Sequence, residues 1–162
     1  MSGTEKIGSV RGVTTITYGL LYFQEVYGNL VDWSDDPLLA GKRIIVDEFL
    51  SEGDGYLRVE SGGHTLLAGL EIQAWDGEPP LEDHEWEISA DAKMKLRSGF
   101  IMGYGLDGES IGGHLRVGPA GTTSNVRIYC RGRQRQKDAD EDFDLDEIQE
   151  EYLAQFWPGA DS

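Results

Sequence analysis

Apolar and polar residues alternate most regularly over residues 85–96, where every second position is apolar and the others are acidic, basic or serine. Because successive side chains of a strand point to opposite faces, this alternation predicts a strand with one buried face. Residues 126–135 alternate in the same way, with Val126, Ile128 and Cys130 on one face and mainly arginine on the other. We expect Cys130 to be a buried, inert thiol rather than a redox or nucleophilic group.

Further strands are predicted wherever β-branched and aromatic residues cluster between glycine-containing turns. These segments are residues 14–24, 43–50, 55–60, 64–75, 100–104, 114–117 and 152–157. Short strands separated by turns, in a chain with 22 glycines, indicate an all-β fold. Of the two architectures that suit this pattern, sandwich and barrel, we favour an antiparallel β-sandwich of about eight or nine short strands.

One short helix is predicted near residues 35–41. Ser34 can cap its first turn, Pro37 suits that turn, and Gly41 would end it.

The C-terminal segment, residues 145–157, allows two interpretations. Leu145, Ile148 and Tyr152 match a helical stripe. Alternation from Glu151 onward, ended by Pro158, instead indicates a strand. We favour the strand.

We predict a flexible N-terminus at residues 1–13, a single domain at residues 14–158 and a tail at residues 159–162. A chain of 162 residues can bury a normal core without disulfides or metal. The N-terminal residues lack the apolar core of a signal peptide, and no apolar run approaches the roughly 20 residues that span a bilayer. We therefore expect a cytoplasmic protein with no membrane partner.

The charge changes sign abruptly near the C-terminal end. Residues 127–137 carry five basic residues and no acid, whereas residues 138–151 carry nine acids and no Lys or Arg. This change predicts a charged hairpin with an acidic loop at residues 138–150, in which the basic strand and the acidic tract neutralise each other.

The net charge of the chain is −16, and residues 1–126 account for −11 of it. Because binding to phosphate needs clustered Lys and Arg, this balance argues against direct binding to nucleic acid or anionic membranes. A basic protein partner fits better, and solvation alone is the other explanation.

Metal sites and catalytic motifs find little support in the sequence. Aspartates at every second position of residues 138–146 resemble a calcium loop, but the sixth and twelfth positions, which need Gly and Glu, are Phe143 and Gln149. His64, His84 and His114 are too far apart in sequence to form a recognisable zinc motif. We expect no catalytic residues, no metal and no cofactor.

Aromatic residues close to acids are the better indication of a binding face. Trp33 is bordered by Asp32, Asp35 and Asp36, and aromatic residues dominate the anchors of protein interfaces. Core packing is the alternative role for these aromatic residues. We predict these four residues as partner-binding, with a second region in the acidic tract at Asp140, Asp142, Asp144 and Asp146.

The segments ITYGLLYFQ at residues 16–24 and VDWSDD at residues 31–36, followed by a helix ending near Gly41, resemble the opening of the competence protein J family. That family includes the inhibitor of a bacterial DNA-entry nuclease, and residues 126–130 resemble one of its later strands. The resemblance, mainly over residues 14–60, implies a small β-sandwich that inhibits a nuclease by direct binding. The acidic tract and the final strand depart from the family pattern.

The sequence thus predicts a non-enzymatic, acidic binding protein, an inhibitor or immunity-type partner of a basic nuclease or toxin. The alternatives are a β-sandwich enzyme or metal-binding domain that uses the histidines, and a structural component that associates with itself through an exposed edge strand.

Overall fold

The computed structural model describes residues 4–16, 19–25, 44–45, 49–53, 56–62, 66–81, 86–105, 110–132 and 148–159. Within these ranges the regular structure consists of eleven strands and no helix. The strands are β1 (Lys6–Ile16), β2 (Leu20–Glu25), β3 (Ile44–Ile45), β4 (Leu50–Gly53), β5 (Tyr56–Glu60), β6 (Leu66–Trp75), β7 (Ile88–Lys95), β8 (Phe100–Gly105), β9 (Ile111–Arg116), β10 (Thr123–Arg131) and β11 (Ile148–Pro158). The predicted all-β class is confirmed.

The strands form two sheets. The five-stranded sheet has the order β1-β6-β11-β10-β7, and the six-stranded sheet has the order β3-β4-β5-β2-β8-β9. Side chains from both sheets meet in one hydrophobic cluster, which includes Leu70 and Phe156 from the first sheet and Phe23 and Leu57 from the second. A core shared between two sheets is what the predicted sandwich requires.

The prediction of a purely antiparallel fold is wrong at one place. Strand β11 pairs antiparallel with β10 but parallel with β6. Because β6 and β10 run in opposite directions, a strand inserted between them must be parallel to one of the two. The other strand pairs of the described sheets are antiparallel.

The buried faces predicted for β7 and β10 are confirmed. Ala90, Ala92 and Met94 of β7 are buried, and so are the alternating residues of β10 that begin at Val126. Residues 148–158 form a strand, which decides between the two interpretations of the C-terminal segment. Cys130 is free and lies in the core, as expected.

Strand β1 corrects the prediction of a flexible N-terminus at residues 1–13, because it begins at Lys6. Two of the positions of β1 that point into the core are glycines, which have no side chain. The sequence of β1 therefore does not show the alternation of apolar and polar residues that predicts a strand. Side chains of β9 occupy the space above them: a Cβ atom at Gly8 would lie 3.1 Å from Leu115, and one at Gly12 would lie 2.4 Å from Ile111. Small residues on β1 therefore let β9 pack closely against it.

The single strand predicted over residues 14–24 is two strands in the structure. Residues 14–16 end β1 in one sheet, and β2 begins at Leu20 in the other. Gly19 lies between them with a φ of 68°, a conformation that glycine adopts without steric cost. The segment predicted at residues 43–50 is likewise divided between β3 and the start of β4, which pair with each other.

Two predicted features lie wholly or partly outside the described residues. The short helix near residues 35–41 is one of them. The acidic hairpin loop at residues 138–150 is the other, except that residues 148–150 already belong to β11. The flanking strands β10 and β11 do pair as a hairpin would, with Arg131 opposite Glu151.

Candidate functional site

The outer face of the five-stranded sheet carries the main cluster of charged and aromatic side chains among the described residues. The side chains of this face point away from the core, whereas the residues before and after each of them along the strand point into it. On β10 these are Asn125, Arg127, Tyr129 and Arg131, which lie between outward residues of β7 and of β11. Antiparallel register places Arg127 directly opposite Asp91 of β7.

Arg127 is the centre of this face. Its Nε atom donates a hydrogen bond to Asp91 Oδ1 at 3.0 Å, and its Nη2 atom donates to Glu78 Oε2 at 3.2 Å. Its guanidinium carbon lies 5.1 Å from the centroid of the Trp157 ring, a cation–π distance. The arginine side chain is 8% exposed, whereas Glu78 is 64% and Asp91 73% exposed.

The surroundings of Arg127 keep it charged. Burial alone lowers the pKa of a guanidinium, but here the hydrogen bonds to Asp91 and Glu78 outweigh burial and raise the pKa of Arg127. The Nη1 atom, which carries two of the five N–H groups, is buried and has no hydrogen-bond partner among the described residues. Arg127 therefore acts as a permanent cation that holds two carboxylates over the sheet.

A cavity of about 520 Å³ opens beside Arg127. Its polar and aromatic lining comes from Glu78, Asp91, Lys93, Asn125, Arg127 and Trp157. Two acids and two bases balance in charge, and no Ser, Cys or His is among the residues that line it. The arrangement can dock a polar or charged side chain, and the carboxylates on its rim are held in place by Arg127.

A second arginine, four residues further along β10, repeats the pattern. Arg131 pairs with Glu151 of β11, and its guanidinium carbon lies 4.6 Å from the centroid of the Trp86 ring. Trp86 also packs against Tyr129, with ring centroids 5.6 Å apart. Both described arginines of the basic strand are thus paired with carboxylates, as the predicted neutralisation requires. Arg127, however, takes its partners from β7 and from the segment that follows β6 rather than from the acidic tract.

On the part of the same outer face formed by β1, β6 and β11, polar side chains are joined to one another by hydrogen bonds. Arg11 of β1 donates to Glu71 at 3.0 Å, and Gln73 donates to the second oxygen of Glu71 at 2.7 Å. Gln73 Oε1 in turn accepts hydrogen bonds from Trp75 at 2.8 Å and from Gln155 at 3.1 Å. This network links β1, β6 and β11 and fixes their side chains relative to the Arg127 cluster.

A buried polar group lies at the start of β11. The carboxylate of Glu150 accepts hydrogen bonds from the Gly62 amide at 2.7 Å and from the Tyr152 hydroxyl. Burial, followed by the proximity of Cys130 and Glu150, raises the pKa of Tyr152 well above its ordinary value. Glu150 belongs to the predicted acidic loop, yet it lies inside the protein and cannot take part in a surface charge.

The residues predicted to bind a partner lie outside the described part of the chain, so their placement stays a prediction. This applies to Asp32, Trp33, Asp35 and Asp36, and to Asp140, Asp142, Asp144 and Asp146. His64 and His84 also lie outside it, and of His114 only the backbone, in β9, is described. In the part of the chain that is described, no group of three or more His, Cys, Asp or Glu is arranged to hold a metal ion.

Sequence reasoning missed the Arg127 cluster. The alternation of apolar and polar residues in the sequence did predict that Asp91 lies on the polar face of β7. The pairing with Arg127 depends on the register between strands that lie about 36 residues apart in sequence, and on the contribution of Glu78 from a loop.

Within the described ranges no helix is both long enough and apolar enough to cross a membrane.

The fold and its paired charges define an all-β protein of two sheets whose described outer face carries ion pairs beside aromatic rings. A similar structure is that of ComJ, inhibitor of the DNA degrading activity of NucA, from Bacillus subtilis. The two share a TM-score of 0.59 and 9% identity, over 98% of this chain and 100% of that one. The resemblance predicted from the sequence is therefore confirmed as a likeness of fold.

A second solved structure, crocagin biosynthetic gene J, has a TM-score of 0.47 and 12% identity, over 97% of this chain and 99% of the other. This likeness is too distant to support an argument. No protein-family model and no curated protein matches the sequence.

Proposed function

We propose that this chain is a non-enzymatic β-sandwich protein that inhibits a nuclease or toxin by binding it directly, as an immunity-type partner would. The observation that carries the proposal is the fold shared with ComJ over 98% of the chain, because ComJ is an inhibitor of the DNA degrading activity of NucA. A fold can serve many functions, so the charge of the chain supplies the second support.

The charge suits a partner that handles DNA. A nuclease holds phosphate in a positively charged cleft, and a protein with a net charge of −16 complements such a cleft. Complementary charge speeds encounter and suppresses wrong partners more than it adds affinity. The partner is therefore a basic protein, and the cytoplasm is the compartment in which the inhibitor would meet it.

The contact residues proposed for the partner are Asp32, Trp33, Asp35 and Asp36, with the tract at Asp140, Asp142, Asp144 and Asp146 as a second region. Trp33 would supply an aromatic anchor and the acids its charged rim, the arrangement typical of interface hot spots. The flanking tract would act mainly on the rate of association.

Binding to purified nucleases tests the proposal. The probes are NucA of Bacillus subtilis and each DNA-degrading nuclease encoded by the organism that carries this chain. Surface-immobilised protein should capture at least one of them with an affinity that falls as salt is added. The combined variant Asp142→Asn, Asp144→Asn and Asp146→Asn should associate about tenfold more slowly.

A matched control removes the same charge elsewhere. Glu5, Asp76 and Glu87 are exposed acids of the described structure, and changing them to Gln, Asn and Gln should alter association less than the tract variant does. Affinity that stays constant across the salt titration would rule out the electrostatic part. Failure to bind every probe would rule out the inhibitor function.

A further inference from the structure

Strand β1 lies at one edge of the five-stranded sheet. It pairs with β6 along one side, and among the described residues no strand pairs with its other side. Strand β9 packs beneath it, where Ile111 and Leu115 fill the space under two glycines, and leaves that side open. The backbone N–H and C=O groups along the free side of an edge strand form a ladder that a further strand can join.

The other edge strands of the two sheets are less suited to pairing. Strand β3 has only two residues, and β9 is irregular, with a register shift and a φ of 95° at Gly112. Strand β7 carries Lys93 and Lys95 on its outward face, and lysine on an edge strand discourages pairing. In β1 the irregularity is confined to the first residues, and the register is regular from Gly8 onward.

The free part of the β1 edge ends before Thr14. The hydroxyl oxygen of Thr14 accepts a hydrogen bond from the Gly105 amide of β8 at 3.1 Å. A Cβ atom at Gly105 would lie 1.9 Å from the carbonyl oxygen of Thr15, so this end of β1 is already in contact with β8. The earlier part is open to solvent, since Ile7 is 68% exposed and Val13 is 40% exposed.

The charge of β1 differs from that of the whole chain. Residues 6–16 contain Lys6, Arg11 and no acid, whereas the chain has a net charge of −16. Two copies of the chain therefore repel each other least where their β1 strands meet. A basic nuclease would meet like charge at this edge, so β1 does not suit the partner proposed above. A second copy of the chain suits it better.

The sequence of β1 is also complementary to itself when two copies run antiparallel and the pair is centred on Val10. Ser9 of each copy then lies opposite Arg11 of the other, and Ile7 lies opposite Val13. Apolar and polar residues thus pair with their own kind, as cross-strand pairs prefer. Centring the pair on Arg11 would instead place two arginines opposite each other, which is destabilising.

We propose that β1 pairs antiparallel with β1 of a second copy, centred on Val10, so that the two five-stranded sheets form one continuous sheet across a two-fold axis. The contact is isologous, because the same strand serves both copies. It is independent of the inhibitor function, which it neither requires nor excludes. A single strand pair makes a small interface, so the dimer is expected to form at high protein concentration and to dissociate on dilution.

Two substitutions of Ser9 test both the pairing and its register. Ser9→Glu places an acid opposite Arg11 of the other copy, and Ser9→Lys places a like charge there. General repulsion between acidic chains predicts the reverse order, because Glu makes each copy more negative and Lys makes it less so. Ser89→Glu and Ser89→Lys are the matched controls, since Ser89 is an exposed serine on β7, the other edge strand of the same sheet.

Sedimentation at increasing protein concentration, up to about 1 mM, measures the dissociation constant of the dimer. The wild-type chain should approach twice the mass of one chain. Ser9→Glu should tighten the dimer about threefold or more, and Ser9→Lys should weaken it about threefold or more. The Ser89 variants should change the dissociation constant less than about twofold. Thermal unfolding at low concentration checks that each variant is folded, which is expected because both serines are exposed.

Four results would overturn the assignment. The first is a wild-type chain that stays monomeric at every concentration. The second is a dimer that Ser9→Glu weakens and Ser9→Lys tightens, or that neither changes. The third is a dimer that responds to the Ser89 variants instead, which would identify β7 as the contact. The fourth is a monomer whose binding to a nuclease probe responds to the Ser9 variants, which would make the nuclease the occupant of this edge.

Discussion

The guanidinium carbon of Arg127 lies 5.1 Å from the centroid of the Trp157 ring. The contact joins β10 to β11, and the hydrogen bond from Arg127 to Asp91 joins β10 to β7. A single buried side chain thus ties together three strands at the edge of the five-stranded sheet. Its carboxylate partners are largely in solvent, so the arginine and its packing are expected to matter more for stability than either acid.

Replacing Arg127 by Ala should lower the free energy of unfolding by about 2 kcal/mol, because the buried stem and the stacked guanidinium are both lost. Asp91→Asn should cost less than about 1 kcal/mol, since an ion pair with a largely exposed partner contributes little. Urea denaturation followed by tryptophan fluorescence measures both. Equal losses for the two variants would contradict the central role of the arginine.

Alkaline pH should destabilise the protein through Tyr152. Burial raises the pKa of this phenol, so the folded state keeps the proton at pH values where the unfolded chain has lost it. The contribution to stability is complete below the ordinary tyrosine pKa of about 10 and declines as the pH rises above it. Thermal unfolding between neutral and strongly alkaline pH should show this decline, and Tyr152→Phe should make it shallower. An unchanged slope in that variant would rule out Tyr152 as the cause.

The buried carboxylate of Glu25 should stabilise the turn between β7 and β8. Its Oε1 atom accepts hydrogen bonds from the amides of Ser98 at 2.5 Å and Gly99 at 3.1 Å. Glu25→Ala leaves both amides without this acceptor and should cost about 1–3 kcal/mol, whereas Glu25→Gln keeps an acceptor oxygen and should cost less. Chemical denaturation of the two variants gives the comparison. A Gln variant as unstable as the Ala variant would show that the hydrogen bonds are not the source of the stability.

Two glycines, Gly69 of β6 and Gly105 of β8, should respond in opposite ways to substitution by Ala. At Gly105 the new Cβ atom would lie 1.9 Å from the backbone of Thr15, and Gly105→Ala should lower the melting temperature strongly. At Gly69 the contacts are ordinary, and Gly69→Ala should leave the melting temperature unchanged or raise it, because Ala loses less conformational freedom on folding. A strongly destabilised Gly69→Ala variant would show that the fold itself requires this glycine.

Sequence patterns predicted those parts of the fold in which alternation was complete. The buried faces of β7 and β10 follow from their apolar residues, since each strand has one face in the core. Strand β1 escaped detection because Gly8 and Gly12 occupy inward positions, and the side chains that fill the space come from β9, about a hundred residues later. The insertion of β11 between β6 and β10 depends on long-range pairing, which local patterns do not encode.

The candidate site was less accessible to sequence reasoning. The basic strand was recognised, and its neutralisation was expected from the adjacent acidic tract. Arg127 instead pairs with Asp91 and Glu78, which reach it only through strand register and a loop.

Inhibition itself is measured most directly by titrating the purified chain into a DNA-degradation assay of each nuclease probe, at low and at high salt. We expect degradation by at least one nuclease to fall steadily and to stop near equal molar amounts of the two proteins, with weaker inhibition at high salt. Degradation by every probe that continues unchanged at a large excess of this chain would contradict the proposed function.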